Sequence, residues 1–212
     1  MKVRLEDVYV AYSGSKRPAI RGVSLRLNEG IHVITGPNGA GKTTLLETIL
    51  GLLRPYKGQA YLFGVNTKSR DIFKVRKKCS YVPQDFMKPP TEAHTSLDVI
   101  KLGLIFNQTH DNIFELAKEL NALDLLDKPF GKLSGGQQQK IIILRALARN
   151  PELLLLDEPF SSLDNYSKKK LCEILENFRR KLVIIVCHDV SIVRDISSSI
   201  IRMEEGKIVD IS

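Results

Sequence analysis

The run Ile31-His32-Val33-Ile34-Thr35-Gly36-Pro37-Asn38-Gly39-Ala40-Gly41-Lys42-Thr43-Thr44 decides the fold. Its first five residues read as a strand. The next nine match G-x-x-x-x-G-K-[ST], and residues 43–53 place Leu45, Leu46, Ile49, Leu52 and Leu53 at helical spacing. Strand, glycine loop and helix in that order form a phosphate cradle. Glycines permit the tight turn and let backbone N–H groups surround phosphate oxygens. The following helix directs its positive end at the same anion. We therefore expect Gly36, Pro37, Asn38, Gly39, Ala40 and Gly41 to wrap a nucleotide. Lys42 is expected to reach its β- and γ-phosphates, with Thr43 giving a hydroxyl to Mg²⁺ and Thr44 completing the cradle. A chance glycine turn would lack the flanking strand and helix.

A second run lies far downstream. Leu153-Leu154-Leu155-Leu156 is continuously apolar, as a strand buried on both faces of a parallel sheet must be, and it ends in Asp157-Glu158. Such strand ends are where α/β sheets bind ligands. Asp157 is the expected Mg²⁺-shell carboxylate, and Glu158 the group that polarises the attacking water. Together the two runs define a P-loop NTPase. A third, Leu133-Ser134-Gly135-Gly136-Gln137, opens a long helix with a serine cap and two glycines, which is another anion-binding terminus. Two phosphate cradles for one nucleotide suggest that the second serves a neighbouring subunit.

Elsewhere the pattern alternates. Val8-Tyr9-Val10-Ala11-Tyr12 and Val23-Ser24-Leu25-Arg26-Leu27 read as antiparallel strands, with Tyr61-Leu62-Phe63 and Cys79-Ser80-Tyr81-Val82 as further strands. After Pro83 come a loop at Met87-Lys88-Pro89-Pro90 and helical periodicity over 97–104 and 113–126. A helix from Ser134 stops at Asn150-Pro151, another spans about 167–180 by its helical spacing, and a second apolar strand covers 182–187. Short strands near 200–203 and 207–211 meet at Glu204-Glu205-Gly206. The expected fold is α/β: a P-loop NTPase (RecA-like) core with an N-terminal antiparallel β subdomain and an inserted α-helical subdomain. We expect one domain over 1–212. Residues 1–84 and 132–212 would form the core and the antiparallel part, and 85–131 the helical part.

Composition sets outer limits. The 212 residues are 43% hydrophobic and 26% charged, enough to bury a core without staples. No apolar run approaches the roughly 18 residues of a membrane span, and the start at Met1 lacks the apolar region of a secretory signal. Cys79, Cys172 and Cys187 have no metal-ligand spacing and read as reduced thiols. The net charge of +8 admits nucleic acid, anionic lipid or polyphosphate as partner. Neither Arg76-Lys77-Lys78 nor Lys168-Lys169-Lys170 is interleaved with aromatics as a single-strand binder requires, so both read as solvated helix faces. His32, His94 and His110 have no motif around them.

With these motifs in place, the chain resembles, over nearly its whole length, the nucleotide-binding subunits of ABC transporters. Gly36 to Thr44 looks like their Walker A, 153–158 their Walker B, and 133–137 the signature that defines the family. Gln84, after Tyr81-Val82-Pro83, sits where their Q-loop glutamine sits. Ser161-Ser162-Leu163-Asp164 resembles the D-loop, His188 the switch histidine, and Tyr12 the aromatic that stacks on adenine. The resemblance implies an ATPase that drives transport, with ATP and Mg²⁺ as cofactors. Two subunits would sandwich ATP head to tail, each nucleotide lying between Lys42 of one and Ser134, Gly135 and Gly136 of the other. Gln84 would touch Mg²⁺ or the lytic water, and His188 the γ-phosphate. The catalytic set would be Glu158, His188, Lys42 and Gln84, and the metal set Thr43, Gln84 and Asp157. The implied partners are a transmembrane permease and a second ATP-binding subunit, on the cytoplasmic face of a membrane, with no direct nucleic-acid contact expected.

One departure from the family pattern stands out. Lys140 occupies a position where arginine is commoner, and the two are not equivalent where a forked contact matters. A non-transport ATPase with the same head is the alternative. Chromosome-type relatives need a coiled coil between Lys42 and Ser134, and no sustained heptads occur there. The two-cassette translation factors differ in having two heads. Cluster-assembly relatives are not separated from transport subunits by length.

Overall fold

The computed structural model describes residues 1–15, 17–85, 94–104 and 113–212. The chain opens with strands β1 (Val3–Val10), β2 (Ile20–Leu27) and β3 (Gly30–Thr35), then helix α1 (Lys42–Ile49). Next come β4 (Lys57–Leu62), β5 (Val65–Asn66), α2 (Ile72–Arg76) and β6 (Cys79–Val82). Helices α3 (Ser96–Gly103), α4 (Ile113–Glu119) and α5 (Gly135–Ala148) precede β7 (Leu153–Asp157) and α6 (Asn165–Glu176). The chain closes with β8 (Leu182–Val186), β9 (Ser199–Glu204) and β10 (Lys207–Ile211).

The strands form two sheets. The first is antiparallel, in the order β2-β1-β4-β5. The second runs β10-β9-β3-β8-β7-β6 and is parallel except for the β9–β10 hairpin. The period-2 alternation of a strand divides its apolar runs between two cores. Leu153, Leu155, Leu182, Ile184 and Ile34 pack with α1 and the antiparallel sheet. Leu154, Leu156, Val183, Ile185 and Val33 pack on the other face with residues of α3, α4, α5 and α6. β7 and β8 are buried at every position, so these strands carry no solvent-facing residues at all.

The structure moves several boundaries. β1 begins at Val3 and ends at Val10, so Tyr12 lies beyond the strand. The helix after the glycine loop ends at Ile49, not Leu53, because Gly51 takes φ 68° and turns the chain. Phe63 belongs to the turn between β4 and β5: Phe63 and Gly64 both have positive φ, as a type I′ hairpin turn requires. Helical periodicity over 113–126 is interrupted at Asn121, φ 51°, after which only a 3₁₀ turn follows at Leu123–Leu125. α6 stops at Glu176 rather than near 180. The expected loop at 87–90 and His110 lie outside the described residues. Among the described residues, no helix is long and apolar enough to cross a membrane. Cys79, Cys172 and Cys187 are unpaired, and burial pushes the Cys79 and Cys187 thiols up to about 12, away from reactivity. His32 is a packed core residue, bonded to Ser199 Oγ at 2.8 Å and the Asn28 carbonyl at 3.2 Å.

Candidate active site

Three adjacent parallel strands deliver the site. β3, β8 and β7 lie side by side, with Ile34 level with Val186 and Val186 level with Asp157. Their C-terminal ends therefore present, in a row, the glycine loop, the turn holding His188, and Asp157-Glu158. The topology alone gathers groups that are more than a hundred positions apart in sequence.

The loop needs glycine at both ends. At Gly36, φ 147°, a Cβ would stand 2.0 Å from the Met203 carbonyl oxygen; at Gly41, φ 97°, it would stand 2.5 Å from that of Ala19. α1 starts directly after Gly41 and has no side-chain cap, which leaves its first N–H groups for an anion. Lys42 is buried, and its Nζ donates to the carbonyls of Gly36 (2.8 Å) and Pro37 (3.1 Å), holding the ammonium over the loop.

Asp157 is fully buried. Thr43 Oγ1 donates to its Oδ2 at 2.6 Å, while Oδ1 meets no hydrogen-bond partner. Burial raises its pKa; the Thr43 hydrogen bond and the Lys42 charge act in the opposite sense. A buried carboxylate with one unsatisfied oxygen, bonded to a hydroxyl beside a phosphate loop, is an oxygen donor set that suits Mg²⁺. Mg²⁺ characteristically takes one or two protein oxygens and completes its shell with water and phosphate.

Glu158 follows with φ 51°, a left-handed conformation costly for a non-glycine residue and sustained only by its surroundings. Its N–H donates to the Val186 carbonyl at 2.9 Å, and its own carbonyl accepts from Ser161 N–H (3.3 Å) and Ser161 Oγ (3.0 Å). Its carboxyl is buried, which raises its pKa, while the neighbouring His188 opposes that shift. Glu158 Oε1 lies 3.3 Å from His188 Nε2, at ion-pair distance but without hydrogen-bond alignment.

Tyr12, Asn38, Gly39, Gly41, Lys42, Thr43, Thr44, Gln84, Asp157, Glu158 and His188 line one cavity of about 240 Å³. Gly36, Pro37 and Ala40 complete the loop behind it. The Tyr12 hydroxyl and Thr44 Oγ1 share a hydrogen bond of 3.0 Å, which leaves the half-exposed ring at the cavity mouth. Ser134, Gly135 and Gly136 do not line this cavity. Ser134 caps α5 instead: its Oγ accepts from Gln137 N–H, and Gln137 Oε1 accepts from Ser134 N–H. Ser134 and Gly135 are exposed at the tip of a helix that is mostly buried. Sequence reasoning missed Ala19, which lines the cavity, and Asp85, whose charge adds to the upward shift of Asp157. Only adjacency to Gln84 could have pointed to Asp85, and nothing in the sequence pointed to Ala19.

A glycine-rich phosphate loop at the end of a parallel-sheet strand, with an acid pair at a nearby strand end of the same sheet, defines the class: a P-loop NTPase. A family model for the ABC transporter matches residues 20–161. The chain is 31% identical to a putative ABC transporter ATP-binding protein of Pyrococcus furiosus, covering 97% of this chain and 81% of that protein. It is 33% identical to the high-affinity zinc uptake system ATP-binding protein ZnuC of Bacillus subtilis, covering 97% and 92%. The dimeric ATP-binding cassette MJ0796, solved in a post-hydrolysis state bound to ADP and Pi, superposes with a TM-score of 0.88 at 29% identity, covering 99% of this chain and 97% of that one. The chain belongs to the ABC transporter family and is one of its ATP-binding, ATP-hydrolysing subunits.

Proposed function

We propose that this subunit works as one half of a head-to-tail pair that closes around two ATP molecules and opens when they are hydrolysed, driving a membrane permease. The observation that carries this is the location of Ser134-Gly135. This helix terminus, of a kind suited to phosphate, is exposed and does not line the cavity that holds Lys42, which supports its use by a second copy or paralogue. The dimeric cassette of 29% identity supports the same reading.

Within each site, the N–H groups at the start of α1 and the Lys42 ammonium bind the β- and γ-phosphates, and the Tyr12 ring covers the adenine. Thr43 and Asp157, with Gln84 beside them, would hold Mg²⁺, which would neutralise phosphate charge. Glu158 orients a water and accepts its proton as the water oxygen attacks the γ-phosphorus and the bond to the ADP oxygen breaks. His188, beside Glu158, contacts the γ-phosphate. With phosphate released, the bridge between the two cradles is gone and the pair opens, a ligand-biased two-state device.

We assign residues 85–131 to a helical subdomain. The groove of about 510 Å³ between β6 and helices α3 and α5, lined by Pro83, Val99, Ile142 and Ala146, is the site for a segment of the permease. That docking places the subunit on the cytoplasmic face of a membrane. The test is Glu158→Gln, which should bind ATP, turn over poorly and accumulate as a dimer in gel filtration with Mg-ATP. A monomer loaded with ATP would count against the pair.

A further inference from the structure

Lys140, the departure noted in the sequence, has a defined contact. Its side chain is 11% exposed, and its Nζ lies 3.0 Å from Asp164 Oδ2. Asp164 caps α6, its Oδ1 accepting from Ser167 N–H at 2.9 Å and its Oδ2 from Ser167 Oγ at 2.9 Å. One turn before Lys140 on the same face of α5, Gly136 meets the same loop: a Cβ there would stand 2.5 Å from the Ser162 carbonyl oxygen. The loop 161–164 is thus gripped at two points by the helix whose tip is Ser134-Gly135. At its other end, Ser161 donates twice to the Glu158 carbonyl. A continuous set of contacts runs from the exposed tip of α5, through Gly136 and Lys140, to the backbone of Glu158. Among the described residues, no other carboxylate pairs with Lys140; Asp124, whose charge it also influences, is paired with Lys128 at 2.9 Å.

We propose that Lys140 is a positioning residue: by holding Asp164 it fixes the 161–164 loop, so that closure of the α5 tip on the partner's nucleotide sets Glu158 in this subunit's own site. The inference rests on the head-to-tail reading. It gives a reason for a lysine here, since one buried ammonium on one carboxylate oxygen needs no fork.

The test measures steady-state kcat, KM for ATP and the Hill coefficient of the full chain and its variants. Lys140→Met removes the buried charge. Asp164→Asn retains a side chain able to cap α6 and removes the charge partner. Each is expected to lower kcat about tenfold with KM for ATP changed less than about twofold, because the contact acts on Glu158 rather than on nucleotide affinity. The Hill coefficient should fall toward one. The double variant should be no slower than the slower single, the mark of one shared contact, and Lys140→Arg should restore most of the rate. Unchanged kcat in the folded single variants, or losses that multiply in the double, overturns the proposal. If Lys140→Met unfolds, Asp164→Asn and Lys140→Arg decide it by the same criteria. Ser134→Asp separates the two levels. If that variant still dimerises with Mg-ATP, the head-to-tail reading is wrong; if it no longer dimerises while Lys140→Met keeps full kcat and cooperativity, only the Lys140 inference is wrong.

Discussion

At the scale of single residues, the site depends on charges held out of water. Lys42 is buried and kept in place by two loop carbonyls, so its ammonium is oriented before any ligand arrives. A charge-assisted hydrogen bond contributes about 1.5–3 kcal/mol, so Lys42→Ala should weaken ATP affinity by about tenfold or more in equilibrium binding. Unchanged affinity would refute its role. Glu158 gives a pH signature. Burial holds its pKa above the ordinary 4.5, so the ionised, proton-accepting form is lost as pH falls through that raised value. The acid limb of kcat should therefore begin at higher pH than for an exposed glutamate, and Glu158→Gln should abolish both the rate and the limb. A wild-type profile flat down to the ordinary glutamate range would contradict this. These residues were legible in the sequence because their motifs are contiguous. The bond between Thr43 and Asp157 was not, since only the sheet brings together two positions separated by most of the chain.

At the scale of elements, the two helix starts proposed to bind phosphate are built differently. α1 is uncapped and faces a cavity; α5 is capped by Ser134 and faces outward. Two roles of Ser134 can thus be separated. Ser134→Ala loses the cap and should cost about 1 kcal/mol, lowering the unfolding midpoint. Ser134→Asp keeps a good cap but sets a carboxylate against phosphate, so it should keep the midpoint and lose ATP-driven dimerisation. Equal dimerisation in wild type and Ser134→Asp would remove α5 from the site. Apolar runs identified β7 and β8 without ambiguity because burial on both faces leaves no other composition possible. Helix ends were less legible: the stops at Gly51 and Asn121 come from single residues in left-handed conformations, which spacing of apolar residues does not register.

At the scale of the whole molecule, one parallel sheet separates two cores and carries the chemistry along a single edge. The cavity there is lined by every expected catalytic and metal-binding residue, with Gly36, Pro37 and Ala40 behind it and the signature serine and glycines outside it; in the head-to-tail pair proposed above, a second subunit completes the phosphate site. Sequence suggested that division because one nucleotide does not need two cradles. The pair is tested most directly by solving the structure of Glu158→Gln with Mg-ATP. The expected result is a γ-phosphate within about 3 Å of Lys42 Nζ from one subunit and of Ser134 Oγ from its mate. A nucleotide bound by Lys42 with the mate's Ser134 beyond reach of any phosphate oxygen would contradict it.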